Sequence, residues 1–208
     1  MPGVLGRKLR YLYYRNYRRK FKRCGKNVII DEGVIIQNPE WISIGDNVWL
    51  DKYCILIAGP VKFGRKSLIK EVENKNFIFE KGELIIGNNV HIGIGNIIQA
   101  HSGVYIGNNV TTSAGVKIYS LSNTPNFEED FSLITYANYL ADGYVSYIIS
   151  PIVIEDGVWI ALNSMILGGT IGKYSFIASN SIVYKDIPEN SYASGCPAKK
   201  IKERFKKT

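Results

Sequence analysis

Cysteine is scarce in this chain: Cys24, Cys54 and Cys196 lie far apart and form no C-x-x-C pair. That argues against a zinc knuckle or a disulfide framework and fits a reducing compartment. Only two histidines are present, His91 and His101. No apolar run is long enough to span a bilayer, and the basic N-terminus is not followed by the apolar segment of a secretory signal, so a cytoplasmic location is expected. Acidic residues are missing from Met1 to Lys26, where ten Lys and Arg residues fall. The remaining chain holds 16 basic and 18 acidic residues, so the basicity belongs to an appendage and the body is slightly acidic.

What is present is a repeat. In 154–188, aliphatic residues recur at Ile154, Ile160, Ile166, Ile171, Ile177 and Val183, a spacing too long for a helix face and too long for a simple alternating strand. A short strand followed by a tight turn, repeated, explains it. Four positions after most of these aliphatics comes a small or β-branched residue: Val158, Ser164, Thr170, Ser175 and Ser181. The pattern predicts a hexapeptide β-solenoid. Ile44, Ile86, Ile106, Ile154 and Ile171 each open an Ile-Gly or Ile-Glu corner; the intervals of 20 residues from Ile86 to Ile106 and 17 from Ile154 to Ile171 bracket three hexapeptides per turn. The 20 glycines follow no period of three and sit at such corners, where positive φ or close backbone approach is needed.

Three regions follow. Residues 1–26 form a basic amphipathic helix, its apolar face drawn by Leu5, Leu9, Tyr13, Tyr17 and Phe21 and its end near Gly25. Such a helix caps the open end of the solenoid core, and its Lys and Arg residues also suit peripheral attachment to anionic lipid. No nucleic-acid reading motif accompanies the charge. Residues 27–188 hold the solenoid, broken at 60–83 and 121–150 by two loops that leave it. Pro188 ends the repeat, and 189–208 form a C-terminal extension with a short helix.

The runs IGNNVHIG, IEDGVWIALNSMILGGTIG, SNSIVYKDIP and GCPAKKIK resemble the left-handed β-helix acyltransferases, within them the maltose, galactoside, xenobiotic and polysaccharide O-acetyltransferases. The likeness spans about 28–202. It implies an all-β, left-handed parallel β-helix, a homotrimer, and acetyl-CoA held between neighbouring solenoids. Related solenoids include γ-class carbonic anhydrases, whose metal needs three histidines; with two, no metal site is expected.

The resemblance carries Trp159, Ala161, Ser179, Tyr184, Lys185, Lys199 and Lys202 to the donor groove. Backbone amides at the Ala161 and Ser179 corners would pair with pantetheine, and the three lysines would meet phosphates. Ala161 and Tyr184 depart from the usual glycine and threonine. Acyl transfer to a hydroxyl needs a base, because an alcohol is a poor nucleophile until its proton is being removed, and family members use a histidine. Its position here falls on Asn123, or on Thr124 by a count one residue longer, and neither is basic. Three explanations stand open: an inactive or altered chain, His101 as a substitute base one coil away, or a base from another protomer or the substrate. His91 is expected in a column with Trp49, Thr111 and Trp159, in a structural role. The loop 124–150, rich in Tyr, Asn and Asp, suits a sugar or a trimer contact. These readings predict O-acetylation of a sugar hydroxyl on a polysaccharide or glycan precursor, lipid-linked if the helix meets a membrane. N-acetylation of an amino sugar nucleotide and a binding solenoid without turnover are the alternatives.

Overall fold

The computed structural model describes residues 17–124 and 144–206. Within the short strands, burial alternates as the pleat requires: in Ile42–Ile44, Leu84–Ile86 and Val104–Ile106 the outer two residues are buried and the middle one is not. In Ile55–Ile57, Ile97–Gln99 and Lys117–Tyr119 the middle residue points inward instead. Strands of the first pattern send two side chains into the interior and strands of the second send one, and a tight corner follows before the next strand.

Three parallel sheets result, the faces of a prism. The first face stacks Arg23–Cys24, Ile42–Ile44, Leu84–Ile86, Val104–Ile106, Ile152–Ile154 and Gly169–Ile171. The second stacks Ile29–Ile30, Trp49–Leu50, His91–Ile92, Thr111–Thr112, Trp159–Ile160 and Phe176–Ile177, then Ser191–Gly195 and Ala198–Glu203. The third stacks Ile35–Gln37, Ile55–Ile57, Ile97–Gln99, Lys117–Tyr119, Met165–Ile166 and Ile182–Val183. Ile86 pairs with Ile106 and Ile154 with Ile171, the matches set by the 20- and 17-residue periods. The fold is the expected all-β, left-handed β-helix.

Inside, columns of Ile, Leu and Val run along the axis, and the positions held by Val158, Ser164, Thr170, Ser175 and Ser181 are buried. Two of the hydroxyls among them donate to backbone: Ser164 Oγ to Ala178 O (2.9 Å) and Ser175 Oγ to Pro188 O (2.9 Å). Such bonds offset the cost of burying a hydroxyl. At the corner between the first and second faces, Asn27, Asn47, Asn89 and Asn109 all adopt left-handed φ of 52° to 56°, a region asparagine tolerates better than most residues. Their amides form a ladder, each Nδ2 donating to the next Oδ1 at 3.0–3.1 Å.

The two excursions join each other. Ser67–Glu71 of the first runs parallel to Val145–Ile149 of the second, which pairs antiparallel with Leu121–Thr124. The first loop then lies across the first face: Phe77 seats against Gly103, where a Cβ would collide with its ring, and Phe79 stacks on Tyr105 (5.2 Å between centroids, 16°).

Two expectations change. The C-terminal extension is not helical: Ala198–Glu203 is a strand folded back antiparallel on Ser191–Gly195. The last coil leaves a sheet edge with unpaired backbone groups, and pairing with it satisfies more of them than an isolated short helix could. At the other end, helix stops at Arg18 and Arg23–Cys24 already pairs with Ser43–Ile44, so the helix does not continue to Gly25. Residues 1–16, where the rest of the helix is expected, lie outside the described residues, as do 125–143 of the second loop.

Candidate active site

The edge between the third and first faces carries the departure points of both excursions. Gly59 and Gly82 close the neck of the first, Gly59 N–H donating to Gly82 O (2.8 Å). On the next coil His101 turns toward this neck, its Nδ1 2.8 Å from Gly59 O. A carbonyl oxygen can only accept, so in the neutral imidazole Nδ1 holds the hydrogen and Nε2 keeps its lone pair. Gln99, on the same coil as His101, accepts through its side chain from Leu121 N–H one coil further (3.1 Å), and Ser120 Oγ of that next coil accepts from Ser102 N–H (2.8 Å). These bonds fix the root of the second excursion beside the His101 corner. Asn123 is exposed, opposite Tyr147 on Leu121–Thr124. His101 and the Asn123 strand are thus brought to adjacent coils of one edge.

The residues singled out for the donor divide between places. Trp159 stands outward on the second face, 45% exposed, its Nε1 donating to Ser113 Oγ (3.2 Å). Ala161 and Ser179 occupy successive coils at the edge between second and third faces. The Ala161 N–H is already spent on Ile177 O (2.9 Å), so that amide is not open to pantetheine; the coil-to-coil ladder takes it first. Ser179 is exposed, and its amide has no partner among the described residues. Tyr184 and Lys185 are exposed on the excursion edge, one face further on. The cause is the period itself: Lys185 follows Ser179 by six residues, which is one side of the prism.

Register unites what looked scattered. Trp159 pairs with Phe176, Phe176 with Tyr192, and Tyr192 with Lys202. Ring centroids are 6.2 Å and 5.1 Å apart along this column, and Lys202 Nζ sits 5.2 Å over the Tyr192 ring. Lys199 is exposed on the same C-terminal strand. Phe176 and Tyr192 were missed in the sequence, although stepping 17 residues on from Trp159 reaches Phe176. His91 lies in this column too, paired with Trp49 and Thr111. It stacks on Trp49 (4.6 Å) with Nε2 3.6 Å from Asp51 Oδ2.

Among the described residues no helix is long and apolar enough to cross a membrane. No protein-family model matches the sequence. "Putative acetyltransferase YJL218W" of Saccharomyces cerevisiae is 34% identical over 178 residues, covering 80% of this chain and 85% of the yeast protein. A 2,3,4,5-tetrahydropyridine-2,6-dicarboxylate N-acetyltransferase of Staphylococcus aureus is 44% identical over 55 residues, 26% of this chain and 23% of that protein. The crystal structure of AntD, an N-acyltransferase from Bacillus cereus in complex with dTDP and 3-hydroxybutyryl-CoA, shares the fold at TM-score 0.69 and 22% identity, covering 93% of this chain and 88% of that one. A hexapeptide-repeat acetyltransferase of Vibrio cholerae, VCA0836, complexed with acetyl coenzyme A, aligns at TM-score 0.53 and 22% identity over 93% of this chain and 76% of that one. With its three-sided coil and an acetyltransferase relative matched over 85% of its length, the chain belongs to the hexapeptide-repeat acetyltransferases.

Proposed function

We propose that the chain is an acetyl-CoA-dependent O-acetyltransferase acting on a saccharide hydroxyl of a polysaccharide or glycan precursor, with His101 as the base. The observation that carries this reading is the His101 Nδ1 to Gly59 O contact of 2.8 Å. It holds the ring at the edge from which both excursions leave and, with Nδ1 donating, leaves Nε2 as the proton-accepting nitrogen. His101 takes the proton of the acceptor hydroxyl while that oxygen attacks the thioester carbonyl, and coenzyme A leaves as its thiol.

The donor fits a seam between protomers better than a single chain. Ser179 and the Trp159 column lie one prism side away from Tyr184, Lys185 and His101, so a homotrimer that sets the Ser179 edge of one protomer against the excursion edge of the next would complete the groove. The exposed Lys185, Lys199 and Lys202 supply positive charge for its phosphates. Residues 1–26, with ten basic and no acidic side chains, favour the cytoplasmic face of an anionic membrane and a lipid-linked acceptor.

A second reading, N-acetylation of an amino sugar nucleotide, draws support from Asn123. An amine attacks with less help from a base, and the Staphylococcus aureus relative and AntD are both named for transfer to nitrogen. Transfer from acetyl-CoA to sugars and amino sugar nucleotides, compared for the native chain, His101→Ala and Asn123→His, tests the assignment. Transfer to hydroxyls that disappears in His101→Ala is expected. Transfer that first arises in Asn123→His would mark the native chain as lacking its base, and transfer to amines alone would favour the second reading.

A further inference from the structure

The first excursion and the first face enclose a groove of about 410 Å³ between Lys75, Asn76, Ile78 and Phe79 of the loop and Tyr105, Val153, Glu155, Asp156 and Lys173 of the coil. That is the size of a small-ligand cleft. Its loop wall is anchored on the coil: Asn76 Nδ2 donates to Thr170 Oγ1 (3.0 Å), and Asn74 Nδ2 to Pro151 O (3.0 Å). The floor is the Phe79 and Tyr105 stack with Val153. Ile78 is 82% exposed at the rim, an apolar side chain left in water.

The rim charges decide what fits. Lys75 and Lys173 have no side-chain ion pair among the described residues. Glu155 and Asp156 each commit one oxygen to backbone, Glu155 Oε2 accepting from Lys173 N–H (2.9 Å) and Asp156 Oδ1 from Asn108 N–H (2.7 Å). The other oxygen of each has no partner among the described residues. Two ammonium groups against two carboxylates leave the rim neutral. A phosphate or diphosphate would meet both signs at once and gain little. A hydroxylated neutral ring matches: its C–H face lies on aromatic carbon, and its hydroxyls donate to carboxylate and accept from lysine. The Tyr105 hydroxyl is held protonated, its pKa raised by burial and then by the nearby Asp156 and Glu155 charges, so it can donate as well.

We infer that this groove is a saccharide subsite, binding a neutral hexopyranose ring that neighbours the ring being acetylated. The inference rests on the reading of the acceptor as a saccharide. Tyr105 follows His101 by four residues, which places the two at most ~13 Å apart along the chain. The groove is therefore a place for a second residue of an oligosaccharide, beside the reacting hydroxyl rather than at it.

Titration of the full chain with methyl hexopyranosides, with an α- and a β-linked disaccharide, and with thymidine diphosphate, followed by calorimetry and saturation-transfer NMR, tests this. The disaccharides are expected to bind, and Tyr105→Ala and Lys173→Ala to weaken them about tenfold, with acetyl-CoA affinity unchanged. Lys75→Ala, on the exposed rim, and Ile78→Arg keep the test independent of any loosening by loss of the Tyr105 ring. No saccharide binding, binding indifferent to all four substitutions, or thymidine diphosphate held tighter than any saccharide overturns the subsite. Acetyl transfer to a sugar with unaltered KM in the groove variants overturns the subsite alone. Saccharide bound in the groove without transfer to any acceptor leaves the subsite standing and overturns the acetyltransfer reading.

Discussion

The carbonyl oxygen of Gly59 lies 2.8 Å from Nδ1 of His101, 42 residues away in sequence. One backbone group at the neck of an excursion thereby sets both the tautomer and the direction of the imidazole. His101→Asn keeps an amide N–H able to donate to that carbonyl but has no proton-accepting nitrogen. The variant is expected to keep its melting temperature and lose about 10²-fold or more in kcat, with acetyl-CoA binding unchanged. Full activity in His101→Asn would show the ring to be structural.

Gly103 has φ +108° and the Phe77 ring where a Cβ would project. Gly103→Ala is expected to lift the first excursion off the coil while sparing the solenoid. Limited proteolysis should then cut within 60–83 faster than in the native chain, with far-UV circular dichroism unchanged.

The asparagine ladder stores its stabilisation in the backbone as much as in the amides. Asn89, with φ 56° and ladder bonds to Asn47 and Asn109, should cost about 1–2 kcal/mol when replaced by Ala, since alanine resists the left-handed region. Asn89→Gly loses the same amide bonds without that penalty. Urea denaturation should rank native, Gly, then Ala.

Cys54 is wholly buried, its Sγ donating to Gly93 O (3.1 Å), and burial pushes its thiol up to about 11. The neutral thiol is the form the fold holds. Its contribution is therefore complete below the unfolded thiol pKa and is lost as pH climbs toward the folded value, by at most about 3 kcal/mol. Unfolding free energy should fall from pH 8 to pH 10.5 more steeply in the native chain than in Cys54→Ala. Thiol reagents at pH 8 should label the exposed Cys196 and leave Cys54 unmodified.

Lys202 extends the Trp159, Phe176 and Tyr192 column over the last coil. Lys199→Glu with Lys202→Glu is expected to raise KM for acetyl-CoA several-fold, more at low salt than at high, and to leave kcat near native. Equal KM at all ionic strengths would remove these lysines from the donor site.

How far the chain could be read beforehand depends on the distance over which each feature is decided. Ile154, Ile160 and Ile166 announce a three-sided coil because the hexapeptide period is local, and the match of Ile86 to Ile106 needs only the length of one turn. The place of His101, one coil before the second excursion, followed from the pairing of Ile98 with Ile118. Its contact with Gly59 did not, since nothing local says where a 23-residue departure from Pro60 to Gly82 will close. The motif at Ala161 predicts a free amide, but the ladder between neighbouring coils gives that N–H to Ile177 O, a partner fixed by the pairing of whole coils rather than by the motif.

The amino-acid sequence alone thus determined the winding, the inward columns and the corner chemistry, each written within six to twenty residues and enforced by burial of the inward-facing aliphatics of each strand. Tertiary structure alone decided the rest. The extension 189–208, expected to hold a short helix, instead forms the strand Ala198–Glu203 because the last coil offered an open edge. The excursion strands Ser67–Glu71 and Val145–Ile149 found each other across more than seventy residues, because unpaired backbone groups are satisfied by whatever edge the folded coil brings near.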